Sequence, residues 1–182
     1  MSALATHVAL LRGINLGSKN RMPMPDLMEM FVAAECADVR NYIQSGNIIF
    51  RASHAKAKKL PDLIAKRIAE AFGHRVPVIL RTAAEFGEVI ANNPFLTGGA
   101  SEAALHVMFL AGLPEASAIA ALDPHRSPLD TFFVRAREIY LNLPNGVADT
   151  KLTNAWFDSK LATIGTGRNW RTVLKLHEMM QG

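Results

Sequence analysis

The chain has 182 residues, of which 49% are hydrophobic and 20% are charged, a composition typical of globular proteins and unlike that of disordered ones. No apolar run reaches the roughly 18 residues that a membrane-spanning helix needs, and no signal peptide opens the chain, so we expect a cytoplasmic protein with no membrane partner. The formal net charge of +4 favours anionic partners weakly, and the single cysteine, Cys36, excludes an internal disulfide.

The first half of the chain predicts six elements in the order βαββαβ. They are a strand at 8–14, a helix beginning near Pro25, strands at 38–44 and 47–52, a helix at 56–72 and a strand at 76–81. A glycine turn signal at 45–47 makes the two middle strands a hairpin. This order of elements is the ferredoxin-like pattern.

The second half predicts a similar order. Thr82 and Glu85 have the spacing of a capping box that opens a helix, and Gly98 and Gly99 mark a linker. The following elements are a strand at 105–111, a helix at 114–122, strands at 131–135 and 138–143, and helices at 151–164 and 170–180. This half is expected to end in a helix, without a clear fourth strand.

We therefore predict an α+β fold of two ferredoxin-like halves of βαββα type, related by duplication, with antiparallel or mixed sheets covered by helices. The halves are residues 1–94 and 104–182, joined by a linker at 95–103. The duplication rests on element order alone, because no residue-level repeat is apparent in the sequence.

Two segments of the chain are basic and contain glycine. Residues 1–25 hold Arg12, Lys19 and Arg21 and no acid, and the apolar strand at 8–14 runs directly into this loop. The glycines allow backbone N–H groups to converge on an anion, and the cations supply charge. The spacing is not that of a nucleotide-binding P-loop, since four residues must separate the glycines of that motif. Chance clustering of solvated cations is the alternative interpretation.

The second basic segment lies near the C-terminus. Gly165 and Gly167 precede a predicted helix whose first turn would offer free N–H groups to an anion, with Arg168 beside them. Asn169 is a candidate N-cap of that helix. Trp170 is either a stacking platform for a base or sugar, or a core residue.

Other kinds of site are not predicted. The six histidines have no ligand spacing with Cys36 or with one another, so we expect no metal and no cofactor. Carboxylates are scattered singly, so no catalytic acid or base can be nominated. The predicted central strands have too few aromatic residues for a sequence-reading RRM domain.

Four segments of the chain resemble the bacterial family DUF1697. They are VALLRGINLGSKN at 8–20, YIQSGNIIF at 42–50, PNGVADTKLTN at 144–154 and GRNWRTVLKL at 167–176. The resemblance implies an α+β protein with ferredoxin-like halves and brings no established activity, substrate or cofactor. The chain departs from the family pattern at Thr150, which keeps a hydroxyl, and at Arg171, which adds a charge.

The leading hypothesis is a non-catalytic protein that binds a phosphate-bearing ligand or nucleic acid between its two halves. The alternatives are an enzyme acting on a phosphorylated small molecule, and a protein-interaction module in which the motifs only fix the fold. The sequence defines no oligomeric state. The predicted ligand-binding residues are Arg12, Asn15, Lys19, Asn20, Gln44, Asn47, Lys151, Asn154, Arg168, Asn169 and Trp170. For the polar ones, side-chain to backbone bonds that fix loops are an equally good explanation.

Overall fold

A computed structural model describes residues 3–17 and 20–182, and the chain divides into two compact units. The first unit contains the residues up to Gly87 together with Leu176–Gly182, and the second unit is Glu88–Lys175. The residues predicted as a linker, 95–103, lie within the second unit. The C-terminal segment from Leu176 belongs to the first unit, although the sequence placed it in the second half.

The first unit begins with a strand and contains both strands and helices. Its elements are β1 (Ala5–Leu11), α1 (Met24–Val32), β2 (Ala37–Tyr42), β3 (Asn47–Ala52), α2 (His54–Ala57), α3 (Leu60–Phe72), β4 (Val78–Thr82) and the beginning of α4 (Ala83–Ala91). The strands pair antiparallel in the order β2-β3-β1-β4. Leu27 and Phe31 of α1 and Ile64 of α3 pack with one face of this sheet to form a core.

The helix predicted at 56–72 is two helices. Ser53 caps α2, because its side chain accepts a hydrogen bond from the backbone N–H of Lys56. A second helix then begins at Leu60, with Pro61 in its first turn, where a missing N–H costs nothing. Gly73 ends α3 in a left-handed conformation with φ +76°, which glycine adopts without strain.

The second unit has its own sheet and core. A short 3-10 turn (Glu102–Ala104) leads into β5 (Leu105–Leu110), α5 (Ala116–Ala120), β6 (Thr131–Arg135), β7 (Glu138–Asn142), α6 (Asn154–Leu161), β8 (Gly165–Asn169) and the beginning of α7 (Trp170–Gln181). The strands pair antiparallel in the order β6-β7-β5-β8. Met108, Ile139 and Phe157 lie at the centre of the core.

The strand β8 was not predicted. The sequence assigned Gly165 and Gly167 to an anion-binding loop before a helix, but both glycines are extended and pair with β5. A Cβ atom on Gly165 would stand 2.9 Å from Met108 Sδ and 3.0 Å from Leu110 Cδ2. This glycine therefore allows β8 to lie against buried side chains of β5, which is a packing requirement.

Two predicted helix starts are confirmed. The carboxylate of Glu85 accepts hydrogen bonds from the backbone N–H and the hydroxyl of Thr82, and Thr82 Oγ1 accepts one from the Glu85 N–H at 3.2 Å. At the start of α7, Asn169 Oδ1 accepts a hydrogen bond of 2.8 Å from the N–H of Thr172. The fold is thus α+β, with two four-stranded antiparallel sheets and helices in the described part of the chain.

Candidate functional site

The basic loop after β1 is held by the side chain of Asn15. Its amide nitrogen donates hydrogen bonds to the carbonyls of Met22 at 3.0 Å and Gln44 at 2.9 Å, and its oxygen accepts one of 2.8 Å from the Met22 N–H. Asn15 has φ +54°, a left-handed conformation that asparagine tolerates better than most residues. One side chain thereby joins both ends of the loop to the turn between β2 and β3.

Asn20 closes the same loop from its other end. Its side chain donates a hydrogen bond of 2.8 Å to the carbonyl of Gly13, and its own carbonyl accepts one of 3.0 Å from the Asn15 N–H. Gly13 and Gly17 also have positive φ, and a Cβ atom on either would contact nothing within 4 Å. Lys19, a predicted phosphate contact, lies outside the described residues.

The turn between β2 and β3 is fixed against β1 by its glycine. The Leu11 N–H donates a hydrogen bond of 2.8 Å to the carbonyl of Gly46, and a Cβ atom on Gly46 would stand 2.8 Å from Leu11 Cβ. Gly46 has φ +78°, so both space and backbone conformation require glycine. Asn47 is buried, and its amide donates to the Tyr42 carbonyl and to Ser45 Oγ.

The described part of the loop is bonded to the turn, and the loop carries cations. Arg12 is half-buried, and its backbone N–H donates a hydrogen bond of 3.0 Å to the carbonyl of Pro77. Arg21 and the side chain of Gln44 are exposed. The structure therefore brings Arg12, Asn15, Asn20, Gln44 and Asn47 together in the first unit, where the asparagines hold the backbone.

The remaining predicted site residues lie in the second unit. Arg168 is buried on β8, and its Nη1 donates hydrogen bonds of 2.8 Å to Thr166 Oγ1 and to the carbonyl of Gly167. Burial lowers the pKa of Arg168 to about 10. Trp170 is only 1% exposed, as a core tryptophan would be, and its stacking role stays a prediction.

Lys151 and Asn154 flank the start of α6. The Lys151 side chain is exposed, while its backbone N–H donates a hydrogen bond of 3.0 Å to Ser127 Oγ. Asn154 is half-buried, and its Oδ1 lies 3.7 Å from the position that a Cβ atom on Gly167 would take. Asn154 thus lies beside β8, the strand that carries Arg168.

The structure also reveals polar residues that sequence reasoning missed. Arg81 on β4 is 1% exposed, and its Nη1 donates to the carbonyl of the preceding residue at 2.8 Å, as that of Arg168 does on β8. His7 pairs with Thr82, and His106 pairs with Asn169, so each helix-capping residue faces a histidine on the neighbouring strand.

The two histidines have matching environments. The Nδ1 atom of His7 lies 2.8 Å from the carbonyl oxygen of Ala5, and that of His106 lies 3.2 Å from the oxygen of Ala104. Burial lowers the pKa of both imidazoles below the ordinary value, against the opposing effect of these backbone contacts. The repeated His-Val dipeptide on the first strand of each sheet is the sequence signal for this pair.

The described residues offer no cluster of three or more His, Cys, Asp or Glu side chains that could hold a metal ion. Cys36 is buried, and burial raises the pKa of its thiol, which disfavours the reactive thiolate. No helix within residues 3–17 and 20–182 combines the length and the hydropathy needed to cross a bilayer.

The family described as "Protein of unknown function (DUF1697)" matches residues 4–140. The chain belongs to this family. The matched range of DUF1697 includes the loop after β1 and the turn between β2 and β3, which are two of the segments that resemble this family in sequence. It brings no activity to the chain.

One solved structure shares the fold of this DUF1697 protein. It is described as "The structure of conserved bacterial protein SP0830 from Streptococcus pneumoniae", with a TM-score of 0.74 and 20% sequence identity. The match covers 98% of this chain and 99% of that one. No curated protein matches the chain.

Proposed function

We propose that this protein binds a phosphate-bearing ligand at the loop after β1 in the first unit. The observation that carries the proposal is the way Asn15 and Asn20 hold this loop through their own side chains. Five hydrogen bonds hold the described part of the loop; four of them involve these two side chains, and two are to backbone groups of Met22. A loop fixed before binding loses little conformational entropy when a ligand arrives.

The arginines of the loop favour an anionic ligand. Arg12 and Arg21 lie on the loop, residues 1–25 contain no acidic side chain, and Arg21 is exposed. Arginine offers a planar fork of donors that suits phosphate oxygens. Backbone segments with left-handed residues can direct successive N–H groups towards one bound anion. The exposed side chain of Gln44 adds a neutral donor beside the loop.

The predicted ligand-binding residues of the second unit are less suited to contact phosphate. Arg168 is buried and Asn169 caps α7, so a phosphate contact by either residue would require their present hydrogen bonds to change. Lys151 is the exposed cation among them. We therefore rank the loop of the first unit ahead of Arg168 as the place where the ligand binds.

The test is binding of three probes to the purified protein: inorganic phosphate, a mononucleotide and a labelled single-stranded RNA, each at several salt concentrations. Arg21→Ala is expected to weaken binding several-fold, and Lys58→Ala, an exposed cation beyond the end of β3 that is opposite the turn at 45–47, serves as the control. A steep salt dependence with the RNA alone would indicate several phosphate contacts, and competition by the mononucleotide would indicate a pocket. Equal binding by Arg21→Ala and the unsubstituted protein would refute the site.

We also infer that the two units are duplicated ferredoxin-like halves. Numbered within each unit, both sheets have the strand order 2-3-1-4, and all pairs are antiparallel. The support at residue level comes from the paired histidines, the buried arginines and the capping residues described above. Equivalent positions should respond alike, so Thr82→Ala and Asn169→Ala should each cost about 1 kcal/mol of folding stability.

A further inference from the structure

The strand β6 forms an edge of the sheet in the second unit. Among the described strands it pairs only with β7, from Thr131 opposite Asn142 to Arg135 opposite Glu138, with no shift of register. Two residues, 136–137, connect the strands, and the pair that closes such a hairpin exchanges hydrogen bonds. Alternation along the strand then directs the N–H and C=O groups of Phe132 and Val134 away from β7.

The corresponding edge strand of the first unit is protected from pairing. The register of β2 shifts between Ala37 and Arg40, and Asp38 within this bulge has φ +51°. Arg40 is also engaged, because its Nη2 donates a hydrogen bond of 2.9 Å to the carbonyl of Met179. Bulges and charged residues are the usual means by which edge strands avoid pairing with other chains.

By contrast, β6 has a continuous edge, and Phe133 is its exposed apolar side chain. Three of its five residues are Phe132, Phe133 and Val134, and the side chain of Phe133 is 47% exposed. Leu129, just before the strand, is 74% exposed. An edge strand without a bulge, with an exposed apolar side chain at its centre, is suited to accept an additional strand from another molecule.

The ends of β6 are basic. Arg126 lies over the ring of Trp156, 5.8 Å from its centroid, and this ring packs edge-on against Phe132 at 6.0 Å. The guanidinium of Arg126 is therefore near the start of the strand. Lys151 lies in the same region, because its backbone N–H donates to Ser127 Oγ, and its side chain is exposed. Arg135 is exposed at the far end of the strand.

Two acids near β6 face groups of the same unit, while Asp149, two residues before Lys151, is exposed. Asp130 is buried and accepts a hydrogen bond of 2.6 Å from Ser127 Oγ, and Glu138 lies opposite Arg135 in the hairpin. Two copies of this chain pairing antiparallel through β6 would bring Arg135 of one copy towards Arg126 and Lys151 of the other. Like charges placed together disfavour that arrangement.

From this geometry we propose that β6 binds an extended peptide segment of a partner protein, which adds a fifth strand to the sheet. The backbone groups of Phe132 and Val134 bond the segment, Phe133 contacts an apolar residue at its centre, and acidic residues on both sides of that centre face Arg126, Lys151 and Arg135. This surface belongs to the second unit, whereas the loop that we propose as a phosphate site belongs to the first unit.

The probe is a fluorescent synthetic nonapeptide with five alternating valine, threonine and phenylalanine residues between pairs of glutamates. A second peptide has lysines in place of the glutamates, and a third has N-methyl groups on alternate backbone nitrogens. We expect the full-length protein to bind the glutamate-flanked peptide, and to bind each of the other two at least about tenfold more weakly.

Two variants test the strand itself. Val134→Pro removes an N–H that faces away from β7, so the hairpin keeps its own ladder while the added strand loses a donor. Arg126→Glu with Lys151→Glu reverses the charge at one end of the strand without touching its backbone. A control of equal charge change, Lys58→Glu with Arg75→Glu, alters exposed positions of the first unit.

The proposal expects Val134→Pro to abolish peptide binding and the Arg126, Lys151 double variant to weaken it about tenfold, with the control unchanged. If Val134→Pro lowers the melting temperature, the double variant alone decides, because both of its positions are exposed. Absence of binding up to about 1 mM peptide would overturn the proposal. So would equal binding by the double variant and its control, or a dimer in sedimentation that Val134→Pro makes monomeric.

Discussion

Replacing Gly165 with alanine should destabilise the second unit, although the substitution adds only one methyl group. The new Cβ atom would stand 2.9 Å from both Cγ and Sδ of Met108 and 3.0 Å from Leu110 Cδ2. Both side chains are fully buried, so neither can move into solvent to make room. Overpacking of this kind typically costs about 1–3 kcal/mol. For a chain of this length, each kcal/mol lowers the melting temperature by about 2–4 °C.

The matched control is Gly167→Ala on the same strand. Its Cβ atom would have Asn154 Oδ1 as its nearest neighbour at 3.7 Å, which is an ordinary contact, and its backbone is extended as well. Chemical denaturation monitored by tryptophan fluorescence should show a loss of stability for Gly165→Ala and little change for Gly167→Ala. Equal stability of the two variants would refute the packing role of Gly165.

Three further predictions concern hydrogen bonds and ionisation. Asn15→Asp should cost about 1–3 kcal/mol, because a carboxylate cannot donate to the carbonyls of Met22 and Gln44; urea denaturation measures the loss, and Asn41→Asp, a change at another side chain with one backbone bond, should cost less. Tyr140 donates a hydrogen bond of 3.0 Å to the carbonyl of Val89, and burial raises its pKa to about 12. Since the neutral phenol is favoured in the folded state, stability should fall as the pH rises from about 10 towards 12, and Tyr140→Phe should remove this component of the slope. For His7 and His106 the folded pKa is lowered, so the unfolded chain binds protons more readily and stability should fall as the pH drops below about 6.5; the double variant His7→Gln, His106→Gln should flatten that decline in melting temperature between pH 7 and 5.

Much of the fold follows from apolar periodicity and local chemistry. The capping box of Thr82 and Glu85 and the cap at Asn169 were predicted from spacing alone, and their hydrogen bonds are present. Such interactions involve neighbours in sequence, so the residue types that make them are visible without tertiary structure. The strand β8 was missed for the opposite reason, because glycines at 165 and 167 erase the apolar alternation that identifies a strand. Its pairing with β5 depends on residues some sixty positions away.

The candidate site stays a prediction. The structure shows that the side chains of Asn15, Asn20 and Asn47, which the sequence offered as ligand contacts, donate hydrogen bonds to backbone carbonyls. Sequence alone cannot distinguish that use from ligand contact, since both require a polar side chain at a loop. The burial of Arg168 was also not predicted, because the positions of charges along the sequence do not show which of them are buried.

The first unit consists of two parts of the chain that are synthesised at different times. Met180 is buried, and the carbonyl of Met179 receives the guanidinium of Arg40, a residue made 139 positions earlier. Ribosomes add about 5–20 residues per second, so this unit waits several seconds for its last segment while the second unit is completed first. During that interval the first unit lacks Leu176–Gly182. We therefore expect chaperones that bind nascent chains to bind the first unit at this stage.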